Sequence, residues 1–109
     1  MFKIARHPQF TIPVTILTPT DGGHREETLS VTYRAIPSSE QDKFNLGNGD
    51  GTRDFLRAVV VNLDDLQDES GQTVKFSKDL LEQLIDLPWV RLGLSTPYFH
   101  AVNKVKTGN

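Results

Sequence analysis

Three histidines, a glycine-rich run, a carboxylate cluster and a group of aromatics are the residues of this sequence whose types can do chemistry beyond packing. His7, His24 and His100 match no metal-ligand spacing, and neither HxxxH nor HExxH occurs. The run Gly47-Asn48-Gly49-Asp50-Gly51-Thr52 has the composition of a phosphate loop but lacks its lysine, and Asp50 would repel an anion. Aligned as a calcium loop on Gly51, it puts Leu46 at the first ligand position and Arg57 at the twelfth, where glutamate is required. It reads instead as a connection between helices. Asp64, Asp65, Asp68 and Glu69 form the densest carboxylate group. Acid–base work needs one carboxyl buried enough to keep its proton, whereas these lie among Gln67 and Ser70 in a polar, solvated loop. No G-x-S-x-G elbow is present, and the absence of cysteine removes thiol catalysis, thiolate metal sites and iron–sulfur clusters together. The expectation is a protein without catalytic site, metal or cofactor.

The C-terminal aromatics point elsewhere. Trp89, Tyr98 and Phe99 fall close together beside Arg91 and His100, and Trp, Tyr and Arg are the usual anchors of protein interfaces. The helical run from Leu80 to Val105 is apolar around more than one narrow stripe. Leu92, Leu94, Tyr98 and Phe99 cannot all share one face with Trp89 and Val90. Trp89, Arg91, Leu94, Tyr98 and Phe99 are therefore the candidate partner-binding residues, weighed against a plain core role for each aromatic.

The elements that must position them follow from periodicity. Phe10, Ile12, Val14 and Ile16 alternate with Thr11, Pro13 and Thr15, and Leu29, Val31, Tyr33 and Ala35 alternate with threonine, serine and arginine. Both segments predict half-buried strands. The turn-rich Thr18–His24 between them predicts an antiparallel hairpin over about 10–35 that serves as scaffold. Pro13 cannot donate to a ladder, so its strand belongs at an edge or carries a bulge.

After Pro37 the pattern becomes helical. Ser38 and Gln41 have capping-box spacing for a short helix to about Leu46. The glycine loop follows, and Thr52 then caps a helix carrying Phe55, Leu56, Val59, Val60 and Leu63 on one face. The β-branched Val59-Val60-Val61 leaves a strand open there, although the period favours helix. Thr73 to Phe76 reads as a short extended segment, and Ser77 caps an amphipathic helix with Leu80, Leu81, Leu84, Ile85 and Leu87 inward. Pro88 suits the first turn of a last helix, and Thr96-Pro97 marks a kink or fresh start. The predicted fold is a single α+β domain over 1–109: a β-hairpin, then three to five helices over about 38–106, then a polar tail at 107–109.

Composition agrees. The 109 residues suffice for one core, and the 37% hydrophobic and 24% charged shares are those of a folded soluble domain, not a disordered one. Net charge is −2 and the basic residues are scattered, so the concentrated field that nucleic-acid binding needs is missing. The N-terminus has no signal-peptide core and no segment approaches the ~20 apolar residues of a membrane helix. With no cysteine, the expected compartment is a reducing cytosol.

Taken in order, these residues resemble the tail assembly chaperones of long-tailed phages and prophages. The resemblance runs through the Phe10–Ile16 strand, Tyr33-Arg34 before a helix, Asp54-Phe55-Leu56 leading into Val59-Val60-Val61, and the Asp68-Glu69-Ser70-Gly71 turn. It continues through Phe76-Ser77, Leu84 to Arg91 and Tyr98-Phe99-His100-Ala101. Pro97 departs from it, falling where an unbroken helix is implied. The resemblance implies binding to the tape-measure protein, with the tail-tube protein as a further partner, together with self-association and a longer frameshifted form. It also implies action in the bacterial host cytoplasm and absence from the mature virion. The alternatives are a structural tail-tube or head–tail joining protein and, last, a small host-directed enzyme or inhibitor.

Overall fold

The structure is a computed structural model that describes residues 1–104; Val105 and the polar tail predicted after it lie outside the described residues. The α+β reading holds. A long hairpin is formed by β1 (Gln9–Thr20) and β2 (Gly23–Arg34), paired antiparallel from Gln9 opposite Arg34 to Thr20 opposite Gly23. The ladder therefore includes most of the segment expected as turn. Only Asp21 and Gly22 make the connection, with Gly22 at φ 77°, a left-handed conformation that glycine adopts without strain. The sheet order β1-β2-β3 places β1 at an edge, as Pro13 requires.

The third strand corrects the sequence reading. Helix α2 (Gly49–Val59) ends at Val59, and Val60–Asp64 forms β3 against β2. The helical spacing of Val60 and Leu63 misled because strand alternation alone would send them to opposite faces. A register shift opposite Thr32/Tyr33 leaves Val61 as the extra residue, 38% exposed, so Val60 and Leu63 both reach the core. One bulge thus imitates a helical period. The β-branched residues then do what they favour and pair with the open side of β2.

The glycine run is corrected as well. It is not a loop over Gly47–Gly51 with Thr52 as the helix cap; from Gly49 onward it is the first turn of α2. Asn48 is the N-cap, accepting from the Gly51 backbone N–H at 2.8 Å. A Cβ on Gly51 would lie 1.9 Å from the Asn45 carbonyl oxygen, so the chain crosses itself here through the space a side chain would fill. Helix α1 (Ser38–Gln41) is one turn only and stops well before Leu46. The Pro37 carbonyl receives its first N–H groups, and the Ser38–Gln41 capping box is not used.

The segment expected as an acidic loop contains β4 (Leu66–Gln67), paired with β5 (Thr73–Val74) in a second small sheet. Ser77 caps α3 (Lys78–Ile85) by accepting from the Leu80 N–H at 3.0 Å. Helix α4 (Pro88–Val102) starts at Pro88 and continues through Pro97 as one element, the fourth helix. The core lies between the inner face of the sheet and helices α2, α3 and α4, with Val14, Val31, Tyr33, Phe55, Leu56, Ile85, Leu94 and Tyr98 at its centre. No helix among the described residues is long and apolar enough to cross a membrane.

Candidate interaction groove

Helix α4 is apolar on two sides. Val90, Leu94 and Tyr98 recur at helical spacing and are buried. Gly93, between them in sequence, meets β1 instead. A Cβ there would stand 2.5 Å from Ile16 Cδ1 and 3.5 Å from the Thr15 carbonyl oxygen. The missing side chain lets α4 lie against the edge strand. Along this crossing the two elements leave an open groove of about 940 Å³. Its strand wall carries Phe10, Ile12, Leu17 and Pro19, and its helix wall Trp89, Leu92, Pro97 and Ala101. Leu92 is 69% exposed and Leu17 45%, so apolar surface is offered to solvent from both walls.

Of the candidate partner-binding residues, Trp89 lines this groove and is only partly buried. Leu94 and Tyr98 are corrections: both are fully buried, and neither can touch a partner without unfolding. Tyr98 instead accepts a hydrogen bond from the Ile36 N–H at 3.0 Å, while the Tyr33 hydroxyl donates to the Leu94 carbonyl at 2.8 Å. Burial pushes the Tyr33 hydroxyl well above its usual pKa, which keeps it a donor. Pro97 supplies no N–H to the carbonyl of Gly93; the Tyr33 bond falls on the very next carbonyl of that weakened turn. Phe99 stacks on Phe55, with centroids 5.2 Å apart and planes 6° from parallel. Arg91 is engaged at home: its guanidinium donates to the Ile85 carbonyl at 3.0 Å, serving the last turn of α3.

The hairpin contributes more than scaffolding. Phe10, Ile12 and Leu17 form a wall that the sequence reading did not assign to a site. Leu17 was the available signal, an apolar side chain on the threonine-bearing face of β1. Two of the three histidines, His24 and His100, also come to the groove, together with Lys104. His7 lies away from it and pairs with Glu40 at 2.7 Å, a bond that holds the Glu40 carboxyl below its ordinary pKa.

The acidic segment folds on itself. Asp68 accepts from the Ser70 hydroxyl at 2.6 Å and from the N–H groups of Ser70 and Gln72, and the Ser70 hydroxyl leads in lowering its pKa. Among the described residues no group of three or more histidine, aspartate or glutamate side chains is placed to hold a metal ion. No family model matches the chain, and no curated protein or solved structure is detectably similar to it.

Proposed function

We propose that this protein is an assembly chaperone of the phage-tail type, which shields the apolar stripe of a long helical tape-measure protein until the tail tube encloses it. The observation that carries the proposal is the open apolar groove between β1 and α4, with Trp89 and Leu92 on one wall and Phe10, Ile12 and Leu17 on the other. A groove of this kind takes an amphipathic helix through side-chain contacts and needs no catalytic group. The identity of the partner comes from the sequence resemblance. With it come the tail-tube protein as a further contact, self-association, a longer frameshifted form, and action in the host cytoplasm with absence from the virion. Co-expression is the test: the tape-measure protein should be soluble with this chain and aggregate without it, and equal solubility in both cases would refute the proposal.

A structural role in the tail tube or head–tail joint is the second reading, favoured by the hairpin end. Residues 19–28 are exposed throughout and suit strand-to-strand contact in a ring. Mass spectrometry of purified virions separates the two, since a chaperone is missing from mature particles and a tube or joining protein is abundant in them.

A further inference from the structure

The ionisable side chains that line the groove are of one kind. The sequence holds 14 acidic residues, yet among the described residues no carboxylate lines the groove. Its ionisable side chains are His24, His100 and Lys104. They stand at both ends: His24 pairs with Pro19 near the hairpin turn, whereas α4 runs back so that Tyr98 approaches Phe10, with ring centroids 6.3 Å apart. Apolar walls that end in imidazoles and the Lys104 ammonium, with no carboxylate in the lining, complement an apolar segment that is acidic at its borders.

The edge of β1 decides the form of that segment. A bare edge recruits another strand. Here Pro13 and Pro19 share parity with Thr15, whose carbonyl lies against Gly93 of α4. The outward row therefore lacks two N–H groups and is covered at a third residue, so an added strand finds no continuous ladder. A helix seated between the walls by its side chains needs none. The chain's own N-terminal arm exposes Phe2 and Ile4 but also carries Lys3 and Arg6, the same sign as Lys104. A second copy's arm is therefore a poor occupant.

We infer that the groove selects an amphipathic helix whose apolar stripe is bordered by carboxylates, and that His24, His100 and Lys104 read that border. This rests on the chaperone reading of the same groove and adds the chemistry of the partner. The helix wall from Trp89 to Ala101 spans about 18 Å, which matches an occupant of roughly three turns or more.

Two labelled peptides of about 16 residues test this, with the same leucine stripe bordered by glutamate in one and lysine in the other. At low ionic strength the glutamate peptide should bind the full chain roughly tenfold more tightly, and added salt should shrink the difference. His100→Glu with Lys104→Glu should abolish or invert the preference without moving the melting temperature. Equal affinities, or a preference that survives the charge reversal, would overturn the inference. If neither peptide binds while the chain still keeps the tape-measure protein soluble, the inference fails and the proposed function stands. A dimer that dissociates on Phe2→Asp with Ile4→Asp, and only then binds peptide, would assign the groove to a second copy and also overturn it.

Discussion

Two buried tyrosines tie α4 to the end of β2 in opposite directions. Tyr33 gives its hydroxyl proton to the backbone of α4, and Tyr98 receives an N–H from the segment after β2. A buried backbone group that loses its partner costs about 1–3 kcal/mol. Tyr33→Phe and Tyr98→Phe should therefore each lower stability by about 1–2 kcal/mol in urea unfolding. Neither should change the affinity for a groove ligand in the folded protein. Gly51 and Gly93 make a second contrast. At Gly51 a methyl would meet backbone, so Gly51→Ala should cost about 3 kcal/mol or more, read as a lowered urea midpoint. At Gly93 the nearest obstacle is the flexible tip of Ile16, and alanine gains up to about 1 kcal/mol in helix propensity, so Gly93→Ala should lie within about 1 kcal/mol of wild type.

Elements show where sequence reasoning succeeded and where it stopped. The hairpin, the Ser77 cap and Pro88 at the head of α4 were legible because each is fixed by neighbours in sequence. The end of α2 was not, because a bulge opposite Thr32/Tyr33 lets a strand bury Val60 and Leu63 at helical spacing. The start of α2 was hidden for a related reason: the need for glycine at position 51 comes from Asn45 across a close contact, not from local propensity. Long-range ion pairing was equally invisible. Arg57 grips Glu82 of α3 with two bonds of 2.6 and 2.7 Å while also holding Asp54 of its own helix.

The Arg57 hydrogen bond is the main cause that holds Glu82 below its ordinary pKa of 4.5, so the unfolded chain takes up that proton first as pH falls. The stabilisation is complete above that value and is lost as pH drops through the lower folded-state pKa. Urea midpoints measured from about pH 6 to about pH 3 should fall less steeply in Glu82→Gln than in wild type. Arg91, expected at an interface, acts between elements as well. Arg91→Ala should cost about 0.5–1.5 kcal/mol by freeing the last carbonyl of α3, again read from urea unfolding.

At the scale of the molecule, the sequence already indicated that α4 has more apolar surface than one core can cover. It did not show what stands opposite. That wall comes from β1, distant in sequence from α4, so part of an expected scaffold lines the groove. Leu94 and Tyr98 were misplaced for the same reason, since only tertiary packing tells which apolar side of a two-sided helix faces inward. Leu92 is the side chain best suited to probe the outer side. It is exposed enough that Leu92→Glu should change folding stability by no more than about 0.5 kcal/mol.

Trp89 is the sole tryptophan of the chain and lies in the groove, so its emission reports on occupancy directly. The decisive measurement is that emission on titration with a soluble, tryptophan-free helical peptide of the tape-measure protein, for wild type and for Leu92→Glu. The expected result is a saturable shift to shorter wavelength in wild type that is lost in Leu92→Glu at an unchanged melting temperature. A complex that forms with Trp89 emission unaltered, or equally well in both proteins, would contradict the groove as the working surface.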